Sequence, residues 1–208
     1  MNNYIMLNNK KINLTPEQVR EMEESFGTNK TELKNIPVGE TFKVGDFEFV
    51  VLEHRETTPD KSESYVILKD FWKDAQFDRD SNDYKNSDIR KDLNENFYKE
   101  LCDLVGSGNI IKHTVDLTAD DGLKDYDRCE DNISLLTCDM YRKYVYLLKK
   151  YNPQKWWWLS TAYSTKSNNY KTFGRCVSDS GTLNDYSCSS NYGVRPFCIL
   201  KSNIFESK

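Results

Sequence analysis

Six cysteines, two histidines and two acidic runs are the residues of this 208-residue chain whose types could do chemistry by themselves. Asp78, Asp80 and Asp83 are spaced like part of a calcium loop, but the glycine and the closing glutamate that such a loop needs are missing. Asp116, Asp120, Asp121, Asp125, Asp127, Glu130 and Asp131 crowd residues 116–132 without metal-ligand spacing, so a solvated loop is expected there. A divalent-metal hydrolase or nuclease, the enzymatic alternative, would need carboxylates converging on a cleft, such as Asp116 and Asp120 with Asp78 or Asp80. His54, at a strand end, and His113, out of phase with the apolar positions around it, are both expected at the surface, with no nucleophile placed near them. Cys102, Cys129, Cys138, Cys176, Cys188 and Cys198 contain no CxxC pair and give no zinc pattern. The residues therefore point to no catalytic group, no metal and no cofactor.

A different chemistry is written in the last third. Of the 33 residues from Ser160 to Tyr192, 22 are Ser, Thr, Asn, Asp or Tyr. Tyrosine offers a rigid contact surface at low entropic cost, while Ser, Asn and Gly supply adaptable hydrogen bonds, the mixture that antibody paratopes use. Tyr163, Asn168, Asn169, Tyr170, Asp185, Tyr186, Asn191 and Tyr192 are the candidate partner-binding residues. The alternative role for each is to satisfy its own loop backbone through Asx and Ser/Thr turns.

These loops must be held by something. Trp156-Trp157-Trp158 on one side and Gly193-Val194-Arg195-Pro196 on the other are the expected anchors; on a strand, one tryptophan faces opposite to its neighbours. Arg195 is expected to brace the fold by bonding loop carbonyls. Further back, the pattern predicts strands at Tyr4–Leu7 and Lys11–Leu14 and a helix opened by Thr15, Pro16 and Gln18, with Val19, Met22 and Phe26 as its stripe and Gly27 as its stop. A hairpin over Thr41–Leu52 turns at Gly45-Asp46, and Ser64–Lys69 is the next strand. Ser87 caps a helix with Ile89, Leu93, Phe97, Leu101 and Leu104 on one face; after a strand at Ile110–Val115 and a short one at Ile133–Leu136, Thr137 caps a second helix with Tyr141, Tyr144, Val145 and Leu148 inward. Short strands follow at Trp156–Leu159, Phe173–Val177, Thr182-Leu183 and Val194–Leu200. The plan is α+β: an N-terminal hairpin and helix over residues 1–35, then a main domain over 36–208.

A net charge of −4, a pI of about 5.4 and the lack of a basic run argue against generic nucleic-acid binding. No stretch has the length or apolarity of a signal peptide or membrane span, so a cytoplasmic protein with reduced, buried thiols is expected, with virion association as the other location.

Asn86-Ser87-Asp88-Ile89-Arg90 with Leu93-Asn94 and Phe97, Ser134-Leu135-Leu136-Thr137, Trp157-Trp158-Leu159-Ser160-Thr161, Val177–Gly181 and Gly193-Val194-Arg195-Pro196 resemble, in order, the landmarks of domain of unknown function 6273, over roughly residues 36–201. That family is common in Gram-positive bacterial and prophage genomes. The C-terminal half also resembles a C-type-lectin-like domain, the scaffold of formylglycine-generating-enzyme relatives and phage tropism proteins. That likeness implies a tryptophan-bearing strand and a Gly-x-Arg strand framing a ligand-binding loop surface, although the cysteine pair and calcium motif of those relatives have no counterpart here. Together these readings imply a phage or mobile-element protein that binds another protein, either an anti-CRISPR-like inhibitor of a host defence enzyme or a displayed receptor binder.

Overall fold

The computed structural model describes residues 4–7, 10–18, 31–58 and 61–206. Tyr4–Leu7 (β1) pairs antiparallel with Lys10–Asn13 (β2). Thr15 and Gln18 form a reciprocal capping box, each side chain taking the other's backbone N–H at 3.2 and 3.0 Å, so the expected helix start is present. The stripe of Val19, Met22 and Phe26 and the stop at Gly27 lie outside the described residues. Where the chain resumes, Leu33 is fully buried in the main core and donates its N–H to the Ile204 carbonyl.

Thr41–Val44 (β3) and Phe47–Thr58 (β4) form the expected hairpin, with Gly45 at φ +56° in its turn, and Lys61–Leu68 (β5) returns beside β4. Alternation on β4 feeds two cores: Phe49 and Val51 enter one, Val50 and Leu52 the other. The Asp-rich stretch after Phe71 holds a strand that its sequence conceals, Lys73–Gln76 (β6). It is followed by two wholly buried aromatics, Phe77 and Tyr84.

Ser87 accepts the Arg90 N–H and opens a helical run: Asp88–Asp92 (α1), a π-helical turn over Leu93–Phe97, and Tyr98–Val105 (α2), closed by Gly106 at φ +80°. Ile89, Leu93, Phe97 and Leu101 are buried as expected. Each step of four residues overshoots a 3.6-residue turn, and the wider π turn absorbs that drift, which keeps the four on one face. Leu104 instead lies half-exposed over the Gly45 turn.

The expected strand over Ile110–Val115 is two strands, Ile110–Ile111 (β7) and His113–Asp116 (β8), which join different sheets. Nor is 116–132 a solvated loop. Arg128–Asp131 (β9) pairs with β8, and Asp131 is buried against Arg90. Ile133–Ser134 (β10) leads to Thr137, whose hydroxyl caps Cys138–Lys150 (α3), with Tyr141, Tyr144 and Leu148 inward.

The C-terminal strands are Trp157–Ala162 (β11), Phe173–Val177 (β12), Leu183–Ser187 (β13), Asn191–Val194 (β14) and Phe197–Lys201 (β15). The single strand expected over Val194–Leu200 is thus broken at Arg195-Pro196, and its halves belong to different sheets. One sheet has the order β10-β15-β5-β4-β3, with β7 also on β15; the other is β13-β12-β11-β14-β6. The α1–α2 run covers one side of the second sheet and α3 the other, giving an α+β architecture with two cores.

Candidate functional site

The three tryptophans divide as a strand requires. Trp157 packs edge-on to Tyr141 of α3, whereas Trp158 turns to the opposite core, edge-on to Phe77. Both are fully buried, and Trp156 is partly so. Beside them β14 runs parallel to β11 with Gly193 opposite Trp157. A side chain at 193 would put its Cβ 2.4 Å from the Phe71 ring, so any residue but glycine would have to displace that ring. Arg195, wholly buried, donates from Nε to the Leu68 carbonyl (2.7 Å) and from Nη2 to the Tyr151 carbonyl (3.2 Å), and lies 5.1 Å above the Trp157 ring. Burial pulls it down to about 9, against the field of Asp70. It is the expected brace.

Registry sorts the candidate binding residues onto two sides of the sheet, because directly opposed residues share a face. Gly174 is opposite Tyr186, and Arg175 is opposite Asp185. On the α1 side, Tyr186 rises over Gly174 and meets Tyr192 and Trp156 at ring distances of 5.4 and 6.0 Å, with Trp156 and Tyr192 5.6 Å apart. Tyr186 remains 47% exposed; burial and Tyr186 push the Tyr192 phenol up to about 12. On the α3 side, Asp185 reaches Arg175 (3.4 Å), which also approaches Asp120 (3.3 Å) and lies 5.9 Å from the Tyr163 ring. Tyr163 packs on Tyr170, which is 49% exposed, beside exposed Phe173. Asn168 and Asn169 end a short 3-10 turn, Asn169 with φ +61°, and both are exposed. Asn191, exposed, sits opposite Gln76 and alternates away from Tyr192.

The loop carrying Tyr163 and Tyr170 is fastened by a residue that carries no sequence signal. Asn82, completely buried, sets its amide nitrogen 2.7–2.8 Å from the carbonyls of Ser164, Tyr170 and Phe173, which share its two N–H donors, and accepts the Tyr126 hydroxyl at 2.6 Å. Asp121 takes the Ser164 hydroxyl, which holds its carboxyl below the usual range, and Asp125 is held below it by the Ser167 hydroxyl first and then by that of Thr165, which it accepts at 2.6 Å. Arg175 and Phe173 are likewise site residues that the sequence reading passes over.

The acidic residues are engaged in structure, and of Asp78, Asp80, Asp116 and Asp120 the last two line one cavity while the first two do not. Asp78 accepts the N–H groups of Asp80, Ser81 and Asp88, and Asp83 caps a 3-10 turn. Asp116 takes Thr118, while Asp120 is shared between Arg142 (2.6 Å) and Arg175. Asp116, Asp120, Thr137, Cys138 and Arg142 line an open cavity of 410 Å³. Among the described residues, no three His, Cys, Asp or Glu side chains group as metal ligands. The histidines are half-buried and bonded rather than open at the surface: His54 bonds Ser64 and the Ile36 carbonyl (2.8 Å each), and His113 bonds Ser134 (2.9 Å) and sits edge-on to Phe197, its pKa lowered by burial. Their partners lie far off in sequence, which is why alternation alone misplaces them. All six cysteines are free and only Cys102 is not buried; burial pushes Cys138 up to about 11 and Cys129, Cys176 and Cys188 to about 12, so those four are inert thiols at neutral pH.

Among the described residues no helix is long and apolar enough to cross a membrane. No curated protein and no solved structure matches the chain. The family described as Domain of unknown function (DUF6273) matches residues 62–202, a span that includes both large sheets' central strands and every landmark from Asn86 to Pro196. Those landmarks serve the architecture: Ser87 and Thr137 cap helices, Asn94 bonds the β10 backbone, Arg90 pairs with Asp131, Trp157 and Trp158 fill the cores, and Arg195 braces the sheet junction. The chain belongs to the family of domain of unknown function 6273.

Proposed function

We propose that this is a non-enzymatic protein of a phage or mobile element that binds another protein through the surface around the β12–β13 hairpin. The observation that carries this reading is the pairing of exposure with rigidity. Tyr170 and Tyr186 are about half exposed, yet each packs against another ring and sits on backbone fixed by Asn82 or by the β12 ladder. Solvent-facing tyrosines on pre-ordered backbone lose little entropy on contact, which is what a binding surface needs. The parallel pairing of the Trp157 strand with the Gly193 strand supports the C-type-lectin-like reading, in which such strands frame a ligand surface. The two forms of the proposal are an intracellular inhibitor of a host defence enzyme and a displayed receptor binder. The hydrolase alternative gains no support, because Asp78, Asp116 and Asp120 are already occupied by backbone N–H, hydroxyl and guanidinium groups.

Affinity capture from a Gram-positive host lysate tests the proposal. The wild-type chain is expected to retain a defined protein that the Tyr170→Ala, Tyr186→Ala, Tyr192→Ala triple variant loses, with both chains equally folded. Trp157→Ala should instead lower Tm first, since it empties a fully buried site at a cost of about 3–5 kcal/mol. Equal recovery by wild type and triple variant would return the loops to scaffolding.

A further inference from the structure

Other outer strands of the large sheets meet a side chain at points along their free sides. On β10, Asn94 takes the Ile133 N–H and donates to its carbonyl. On β3, the Lys43 N–H goes to Glu206. On β6, the Ala75 carbonyl takes the Trp158 indole N–H, and Lys73 pairs with Asp92 of α1.

β13 differs. Its ladder with β12 runs without a bulge from Phe173 opposite Ser187 to Val177 opposite Leu183. The flanking bonds, Ser178 N–H to the Thr182 carbonyl (2.9 Å) and Cys188 N–H to the Thr172 carbonyl (2.8 Å), set its phase. Bonded pairs recur at every second residue, so Asn184 and Tyr186 bond inward while Leu183, Asp185 and Ser187 turn their backbone groups outward. The Ser187 carbonyl is taken by the Ser190 N–H at 2.9 Å. Among the described residues, the N–H and C=O of Leu183 and Asp185 have no such partner. The strand carries no lysine, proline or bulge, and the one charge along it is the carboxylate of Asp185.

We infer that the outer edge of β13 is a strand-addition site for an extended, basic segment of a partner protein. This deepens the binding reading above and rests on it. Leu183 and Asp185 each turn an N–H and a C=O outward, two residues apart, the pairs that an added antiparallel strand satisfies. Charge selects the occupant. Asp185 shares Arg175 with Asp120, and Asp120 shares Arg142 with Asp139, so the network that ends at Asp185 holds three carboxylates against two guanidinium groups, which favours a lysine or arginine opposite Asp185. On the other side, the next residues of the added strand lie over the exposed Tyr186 ring, where a cation or its aliphatic stem is favourable. A second copy of the strand would bring its own Asp185 and no cation.

The probe is a fluorescein-labelled decapeptide alternating lysine with valine, together with the same peptide methylated on alternate backbone nitrogens, used with the full chain. Anisotropy should show binding of the first peptide and at least about tenfold weaker binding of the second. Binding should slow hydrogen exchange at the Leu183 and Asp185 amides. Asp185→Pro removes an outward N–H and no ladder bond, so it should weaken binding by about tenfold, and Asp185→Asn by less. If the proline variant does not fold, the methylated peptide on the wild-type chain decides the matter. No binding of the unmodified peptide, or equal binding of both peptides, overturns the inference. So does amide protection that rises with protein concentration alone, which would assign the edge to a second copy. In the lysate capture, Asp185→Pro that keeps the partner while the tyrosine triple variant loses it would remove the strand-addition site and leave the binding reading intact; indifference to both would remove both.

Discussion

Glu53 gathers more favourable contacts than any other carboxylate on the α3 side of β4. Its carboxylate takes the Arg55 guanidinium at 2.7 Å, the Lys143 ammonium at 2.6 Å and the Tyr144 hydroxyl, so it ties α3 to the sheet. Arg55 above all, with Lys143 and Tyr144, holds it down at about 2, from an ordinary 4.5. A carboxyl with a lowered folded pKa contributes stability that is complete above its unfolded pKa and is lost as pH falls through the folded value. The window is therefore between about pH 4.5 and pH 2. Because water reaches the group, solvent screening keeps the contribution to about 1–2 kcal/mol. Urea unfolding of wild type and Glu53→Gln should give nearly equal free energies at the acid end of that window and should diverge above it; parallel curves throughout would show that the contacts add nothing.

At the scale of elements, Asn82 does for the loop at 163–173 what a strand ladder does for β12. Asn82→Ala would leave three carbonyls without their donor, a loss of about 2–3 kcal/mol once the loop relaxes into water. The expected result is faster amide exchange and earlier proteolysis between Tyr163 and Phe173, with the core strands unchanged. Uniform protection across that loop would remove Asn82 from this role. Such a residue is invisible in sequence because its four partners are 44 to 91 positions away. The helix caps at Ser87 and Thr137, the face shared by Ile89, Leu93, Phe97 and Leu101, and the bounds of β12 are legible, since each is fixed by neighbours within a turn or two. β6 is not, because Lys-Asp-Ala-Gln has no apolar alternation and becomes a strand only by pairing with β14. The candidate tyrosines can be named from composition, whereas their division between two sides of a sheet depends on the register of β12 with β13.

For the molecule as a whole, the two sheets are joined where β14 passes into β15 through Arg195 and Pro196. Pro196 offers no N–H to continue a ladder, and its carbonyl takes the Leu68 N–H at 2.8 Å, while Arg195 bonds the Leu68 carbonyl. One short run of chain thus closes both sheets. β15 then lies between β5 and the pair β10 and β7, in the interior of its sheet, although it is the last strand in the chain order of the described residues. This has a consequence for synthesis on the ribosome. This interior strand emerges after all its neighbours, so β5 and β10 must wait with their facing edges unpaired until Lys201 has cleared the exit tunnel. At about 5–20 residues per second, that exposes unpaired strand edges for seconds on every chain made. Ribosome-stalled chains ending at Tyr192 should be degraded by added protease at Tyr65 and Ile67, and chains extended past Lys201 by a long linker should resist. Protection before β15 emerges would show that the remaining strands close without it.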